Sequence, residues 1–351
     1  MLFGKKDHLI GLDIGSGTIK LGEVLQTKRD RTLKKFGMAG LPPGAIVEGR
    51  IREPEPVADT IKRLRSELKV KEQNVATSIA GYSVVIKKIV VQKMSDEELQ
   101  DNIQYEAEQY IPFDVQDVNI DFQILGEHEA NAEQMYVMLV AAKTEIVNEY
   151  VSLLQLADLN PCVIDVDVFA LEKTFEDNYE KEEKSVALID IGANKMSMNI
   201  LKDGMSAFTR DVSIGGEQIT AEIASRLKCS RDEAEALKLG KSKDRARQQD
   251  IQQVIYSVTS SWCGEIRRAI DFYYSTYPDE DITRIILSGG GAQTAGFADA
   301  LSTETSIEVE MCDPFKTLNI NEKQHDLDYL RSIAPQAAVC MGLALRRVGD
   351  K

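Results

Sequence analysis

The triplet Asp13-Ile14-Gly15 occurs a second time as Asp190-Ile191-Gly192, and the alternating apolar positions around the two copies superpose. A repeat of this kind, present twice, implies two similar lobes rather than a stacked array. Each copy closes a short apolar run, Leu9 to Ile14 or Val186 to Ile191. Each is followed by another, Thr18 to Leu25 or Met196 to Leu201, which predicts two β-hairpins with glycine-containing turns. A chain of 351 residues is long for one compact domain, so two are expected.

The stretches between the copies alternate strand and helix signals. Leu33 to Ala39 reads as a third strand, and Pro54 and Pro56 open a helix carrying Val57, Ile61, Leu64 and Leu68 at helical spacing. Val75 to Ala80 is strand-like again. Residues 84–153 then change rhythm, with a β-branched strand (Val84 to Val91) first. A capping box, Ser95 with Glu98, precedes Leu99, Ile103, Ala107 and Tyr110 in a helix that Pro112 stops. Two alternating runs, Val118 to Leu125 and Met135 to Ala141, lead to a helix over Thr144 to Leu156. This order reads as a small inserted α+β subdomain, after which Cys162 to Val166 returns to buried-strand character.

The charged run Glu176 to Lys184 divides lobe I, 1–183, from lobe II, 184–351. In lobe II a helix follows Gly215-Gly216 with Ile219, Ile223 and Leu227 on one face. A long helix runs from about Ile251 to Tyr274, with Trp262 on its inner, core-packing side. The strand Arg284 to Leu287 leads into Ser288-Gly289-Gly290-Gly291, and a last helix begins at Pro335 and covers about 335–347. The fold class is α/β with two lobes.

Hydrophobic content of 43% and charged content of 28% describe an ordinary globular chain. The longest apolar runs fall far short of the ~20 residues that span a bilayer. Met1 to Lys6 has no apolar core leading to a cleavage site, so no secretory signal is expected. Five scattered cysteines, Cys162, Cys229, Cys263, Cys312 and Cys340, form no metal-binding pattern and are expected as buried free thiols in a reducing cytoplasm. The three histidines, His8, His128 and His325, form no constellation. A net charge of -15 argues against non-specific nucleic-acid binding. Between Met94 and Ala142 there is no Lys or Arg, while Asp and Glu recur. That segment is either a docking surface for a basic partner or a solvated acidic face.

The chemistry concentrates in the two turns. Asp13-Ile14-Gly15-Ser16-Gly17-Thr18-Ile19-Lys20 links two strands, which separates it from a Walker loop, where a helix N-terminus follows. Glycines let backbone N–H groups approach an anion closely. Ser16 adds a hydroxyl and Lys20 a positive charge. Asp13 is repelled by phosphate, and its natural role is to hold Mg²⁺, directly or through water. The second turn, Asp190-Ile191-Gly192-Ala193-Asn194, supplies another acid and more amides. Two facing hairpins can clamp a polyphosphate from both sides. Gly215-Gly216-Glu217 and Gly289-Gly290-Gly291 are two further places where a ligand can meet bare backbone.

These residues resemble the actin-like superfamily of ATP-binding proteins. Ile10 to Val24 is similar to its first phosphate motif, Ala187 to Ile200 to its second, and Ile285 to Ala292 to its adenosine motif. Ala234-Glu235-Ala236-Leu237-Lys238 resembles the element of MreB in which the glutamate and lysine contact ribose and adenine. Within the superfamily, the chain is most similar to the PilM family of type IV pilus assembly. The matching segments are Leu2-Phe3-Gly4-Lys5-Lys6, Glu108-Gln109-Tyr110-Ile111-Pro112-Phe113 and Ser213-Ile214-Gly215-Gly216-Glu217. The resemblance implies an actin-like two-lobe fold of duplicated RNase H-like lobes, with residues 84–153 as subdomain 1C and 217–282 as subdomain 2B. It implies ATP with Mg²⁺ as cofactors and a cytoplasmic place at the inner membrane, reached through partners. It also implies a groove near 1C that receives the N-terminal tail of the membrane protein PilN. Glu106, Glu108 and Asp114 are the expected acidic contacts for a basic tail.

Actin-like folds orient the attacking water from the connection after the inserted subdomain, here Ile164-Asp165-Val166-Asp167-Val168-Phe169. Asp165 or Asp167 can serve, or can cap the following helix. Catalysis, at most slow, would rest on Asp13, Asp190 and Asp167. A sugar kinase of the same fold would need an aspartate base and a sugar pocket, and neither has a motif here. An FtsA-like division protein would carry a C-terminal amphipathic helix beyond Arg346-Arg347, and a GspL-like secretion protein a membrane span.

Overall fold

In the computed structural model, which describes residues 8–27, 30–81, 83–181, 184–240 and 245–350, the repeated triplet sits at the end of a central strand in each of two five-stranded sheets. The opening motif Leu2 to Lys6, and residues 182 and 183 of the charged run, lie outside the described residues.

The first sheet begins with β1 (Ile10–Ile14), β2 (Thr18–Gln26) and β3 (Arg31–Gly40), an antiparallel meander in which Asp13 lies opposite Lys20. Ile10, Leu12, Ile19 and Leu21 are fully buried, as the apolar alternation requires. A two-stranded ribbon, β4 (Ile46–Val47) with β5 (Arg50–Ile51), precedes α1 (Pro54–Glu67). Proline in the first turn fits there because that N–H has no helical partner. Strand β6 (Asn74–Ile79) then joins β1 in parallel.

The insertion follows as β7 (Val84–Gln92), α2 (Asp96–Ala107), β8 (Val118–His128) and β9 (Asn131–Lys143), with the three strands in the order β7-β9-β8. Both bonds of the Ser95–Glu98 capping box are present. The helix ends at Ala107, so Tyr110 falls beyond it. Leu99, Ile103, Phe122, Val137 and Leu139 build a separate core between α2 and the small sheet. Helix α3 (Thr144–Leu156) packs on α1 and on β10 (Asn160–Val166), and its Ile146, Tyr150 and Leu153 join the first sheet's core. Strand β10 pairs in parallel with β6 and runs directly into α4 (Asp167–Asn178).

The second sheet repeats the first. Strands β11 (Ser185–Ile191), β12 (Met196–Lys202) and β13 (Met205–Val212) form the meander. Three helices, α5 (Gly216–Leu227), α6 (Arg231–Lys238) and α7 (Arg245–Thr276), lead to β14 (Ile282–Ser288), which joins β11 in parallel. Helix α8 (Phe297–Thr305) and β15 (Glu308–Met311) complete it. The sheet orders, β3-β2-β1-β6-β10 and β13-β12-β11-β14-β15, match strand for strand. Trp262 is fully buried on α7, edge-on to Phe297, as its inward position predicts.

The last helix, α9, is Leu327–Ala344, two turns longer at its start than the proline suggests. Asp326 caps it by accepting from the Asp328 and Tyr329 N–H groups, so Pro335 falls inside. This helix crosses back to pack on β1, β2 and α4. A Cβ at Gly342 would overlap the Ala170 carbonyl, so only glycine permits that approach of α9 to α4. Cys263, Cys312 and Cys340 are buried free thiols as expected, but Cys162 is exposed and Cys229 half-buried. Among the described residues no helix is long and apolar enough to cross a membrane.

Candidate functional site

The two repeated hairpins meet tip to tip. Gly15 N–H donates to the Thr18 carbonyl at 3.1 Å, and Gly192 N–H donates to the Lys195 carbonyl at 2.8 Å, so both turns close in the same way. Asn194 Nδ2 donates to Ser16 Oγ at 3.1 Å, linking one tip to the other. A side chain at Gly17 would bring its Cβ to 3.2 Å from that of Ala193, so the backbones approach closely there. Gly15, Ser16, Gly17, Thr18, Gly192, Ala193 and Asn194 are therefore brought together as the sequence predicts.

Three aspartates and two lysines are paired close to the tips, with Asp211 beside Lys195. Lys20 Nζ donates to Asp13 Oδ2 at 2.9 Å along the first hairpin. Ser288 Oγ donates to Asp190 Oδ1 at 2.8 Å in the second sheet. Lys195 Nζ reaches across to Asp167 Oδ2 at 2.6 Å. Burial pushes the Asp190 carboxyl up to about 6 against the opposing Ser288 hydrogen bond. Burial also raises the Asp13 carboxyl, with Lys20 pulling the other way. Asp167 is only half-buried; burial raises its carboxyl, yet Lys195 beside it outweighs that and holds it below the usual range. Burial would lower the Lys195 ammonium, but Asp167 and Asp211 outweigh it and hold it above the ordinary lysine value.

The expectation that an aspartate caps α4 is not met. The cap position is Val166, which makes no side-chain cap bond, and Asp167 is the first helical residue. Its carboxylate turns to Lys195. Asp165 pairs instead with Arg346, whose Nε donates at 2.6 Å from beyond α9. Both of those side chains are largely buried, and burial raises the Asp165 carboxyl against the pull of Arg346.

The glycine loops brace the second hairpin from behind. Gly216 N–H donates to the Gly192 carbonyl at 3.0 Å, and Glu217 N–H to the Ala193 carbonyl at 2.8 Å. A Cβ on Gly215 would sit 2.5 Å from the Ala193 carbonyl oxygen. Those amides are thus committed to the hairpin rather than bare. Glu217 pairs with Arg231. On α6, Glu235 and Lys238 form an ion pair at 2.6 Å, and both bond the Thr220 hydroxyl, while Lys238 also reaches the Gly216 carbonyl at 3.3 Å. Gly289 has φ of +83° and meets the Ile191 carbonyl where a Cβ would collide. Gly290 lies beside Gln336 on α9, and Gly291 packs against Ile191. Ala292 lies in the second core, so its side chain is structural.

Two cavities flank this centre. A small one of about 110 Å³ is bounded by Gly15, Ser16, Ser78, Asp167, Asn194 and Lys195. A groove of about 760 Å³ runs between β8, β10, α4 and the turn joining β12 to β13. Strand β8 is the edge of its sheet and lines the groove. Asp121, Asp165, Glu172 and Glu176 give it acidic character, and Arg346 lies at one side. Of the acidic residues between Met94 and Ala142, Asp121 faces this groove, whereas Glu106, Glu108 and Asp114 are not among its lining residues.

Among the described residues no cluster of three or more His, Cys, Asp or Glu has the spacing of a direct metal site. Mg²⁺ carried on phosphates keeps several waters and needs only one or two carboxylates. Asp13 and Asp190 are the last residues but one of the two central strands, β1 and β11. Lys195 lies just past the turn Asp190 to Asn194. In the repeat it stands where Thr18 stands, and the partner of Asp190 across the hairpin is Ser197, as Lys20 is of Asp13. The available signal was a lysine closing an acid-bearing turn whose first copy already held one.

The sequence profile of "Type IV pilus assembly protein PilM" matches residues 11–348. The solved PilM-PilN type IV pilus biogenesis complex is 30% identical to this chain, covers 97% of it and 98% of its own chain, and superposes with a TM-score of 0.86. Cell division protein FtsA of Bacillus subtilis (strain 168) is 42% identical over 60 residues, 16% of this chain, and the match spans 14% of that relative's length. MreB5 of Spiroplasma citri, solved bound to ADP, shares the fold at 12% identity, with a TM-score of 0.51 over 95% of this chain and 94% of its own.

Proposed function

The chain belongs to the family of type IV pilus assembly protein PilM, and on that premise we propose an ATP-binding adaptor at the inner-membrane pilus platform. It takes the N-terminal tail of a PilN-type membrane protein on the cytoplasmic side and responds to the nucleotide it holds. One observation carries the nucleotide reading: two copies of one hairpin meet at Ser16 and Asn194, with three aspartates and two lysines behind them. Lobe I, 1–183, and lobe II, 184–351, then hold the nucleotide between them, with 84–153 as subdomain 1C and 217–282 as 2B.

In this reading the turn amides of Gly17 and Ala193 and the Ser16 hydroxyl cradle the phosphates, while the Gly15 and Gly192 amides hold the two turns closed. Lys20 offsets phosphate charge while it orients Asp13. Asp13 and Asp190 would hold Mg²⁺, which when bound would supply neutralisation of charge that develops on the transferring phosphoryl group. Glu235 and Lys238 flank the ribose side, and Gly290 lets the base lie against backbone that Gly289 and Gly291 hold onto Ile191. Asp167 orients water, and any hydrolysis is slow while Lys195 occupies that carboxylate.

The acidic groove supports the partner. An extended basic tail can add its backbone to the open edge of β8 while its cations meet Asp121 and Glu176. The relation to the solved PilM-PilN complex favours a PilN-type tail there. The test is thermal unfolding with ATP and Mg²⁺, and separately with a basic PilN-type tail peptide. Ligand at 100 times its dissociation constant stabilises by about 2.7 kcal/mol. Two independent shifts are expected, with the ATP shift lost in Asp13→Ala. The absence of an ATP shift in protein freed of nucleotide would refute the adaptor's nucleotide half, and the absence of a peptide shift its pilus half.

A further inference from the structure

We propose that Lys195 is a sensor of the terminal phosphate, ion-paired to Asp167 without a triphosphate and transferred to the terminal phosphate when one binds. The proposal rests on the reading of the two hairpins as a nucleotide clamp.

The geometry fixes the base of Lys195 and places its partly exposed end on Asp167. Its carbonyl accepts from Gly192 N–H and closes the second turn, so its Cα cannot move without opening the hairpin. Its Nζ meets Asp167 Oδ2 at 2.6 Å, and Asp167 belongs to α4, at the edge of the first sheet. This ion pair therefore bridges the two sheets. Both side chains line the small cavity of about 110 Å³ that also touches Gly15 and Ser16. The ammonium can pass from the carboxylate to an anion in that cavity by side-chain rotation alone, since lysine is a point charge on a flexible stem.

Charge decides which phosphate is sensed. Lys20 is committed to Asp13 along its own strand pair. A diphosphate ends at the turn amides and leaves Lys195 with Asp167. A triphosphate would carry its last group past the turns into the cavity, where Asp167, with Glu48 and Asp211 in the same lining, would repel it unless Lys195 moved across. The exchange makes no covalent bond. It swaps one charged pair for another and leaves Asp167 without its cation, able to accept a hydrogen bond from water. The competing account is a fixed strut, in which the ion pair merely holds the sheets together.

Calorimetric titration of the full chain, stripped of nucleotide, with ATP and with ADP in the presence of Mg²⁺ separates the two accounts. Lys195→Met is expected to weaken ATP roughly tenfold or more, the usual loss of a charged hydrogen bond, while changing ADP by less than about threefold. Lys195→Arg is expected to restore most of the preference for ATP. Asp167→Asn, which releases the lysine, is expected to tighten ATP and leave ADP alone. Equal losses for both nucleotides in Lys195→Met, or no loss for either, would overturn the sensor while leaving the clamp. Failure of the unaltered chain to bind either nucleotide would overturn both. Should Lys195→Met fail to fold, Asp167→Asn decides, because an ATP affinity that does not rise refutes the exchange.

Discussion

Glu172 gives the sharpest test of the groove's electrostatics. It projects from α4 into the groove and accepts from Asn199 Nδ2 at 3.0 Å. Burial pushes its carboxyl from 4.5 up to about 7, helped by Glu176 and Asp165 and opposed by Asn199 and Arg346. The folded state thus holds this proton more tightly than the unfolded chain does. Below the unfolded value both states are protonated and nothing is lost. Between that value and about 7 stability falls as pH rises, and above it the full cost of a buried charge remains. Glu172→Gln keeps the acceptor for Asn199 and removes the titration. At about 1.4 kcal/mol per unit, reduced because the side chain keeps some contact with water, the glutamine variant should be more stable by about 2 kcal/mol at pH 8. The gain should shrink to under about 1 kcal/mol at pH 5. Urea unfolding of both proteins at the two pH values measures it. An equal offset at both pH values would mean packing rather than charge, and a less stable glutamine variant at pH 8 would mean that Arg346 already satisfies the carboxylate.

Gly289→Ala should destabilise by well over the ~1–2 kcal/mol that left-handed backbone alone costs a side chain, because its Cβ meets the Ile191 backbone. Gly296→Ala, at φ +76° with open space around it, should show only the conformational part, and thermal melts of the pair compare them. Mg²⁺-dependent ATP affinity should fall as pH drops through about 6, where Asp190 takes up its proton. In Ser288→Ala the fall should begin at higher pH, since the hydrogen bond that favours the carboxylate is gone; an unshifted profile from pH 5 to 8 would acquit Asp190. If ATP changes tail-peptide affinity, the peptide must change ATP affinity by the same factor. That factor should approach one in Asp165→Asn, and coupling that survives the substitution would exclude the Asp165–Arg346 pair as its carrier.

What the sequence disclosed was local. The hairpin tips were legible because glycine, an acid and flanking apolar alternation lie within eight residues, and the second copy repeated them. The capping box at Ser95 and the bounds of α3 were legible for the same reason. Strand β13, with most of its side chains half-buried, and β15, of four residues, carry too little alternation to stand out. The start of α9 was misplaced because Pro335 is a common first-turn residue, while the cap that starts the helix is Asp326. The partner of Asp167 was hidden because Lys195 lies on another sheet, and only the folded chain brings the two within hydrogen-bond reach. Glu106 and Glu108 share the acidic run along the chain but not the groove, which is made by the face of β8 and the flank of α4.

The residues that matter to both cavities converge on one short segment. Asp165, next to last in β10, lines the groove and pairs with Arg346, and Asp167 begins α4, lines the small cavity and pairs with Lys195. One turn further along α4, Glu172 holds Asn199 of β12, the strand that carries the second hairpin away from the cleft. Strand and helix meet here without a loop, so the backbone that fixes one carboxylate fixes the other. A ligand that pulls on Asp165 or Glu172 therefore bears on the strand and helix that aim Asp167. A junction of this stiffness lets two sites influence each other without a large motion, because a small displacement at either end changes charged pairs whose strength depends steeply on distance. That is the arrangement an adaptor needs if its grip on a tail is to depend on what its cleft contains.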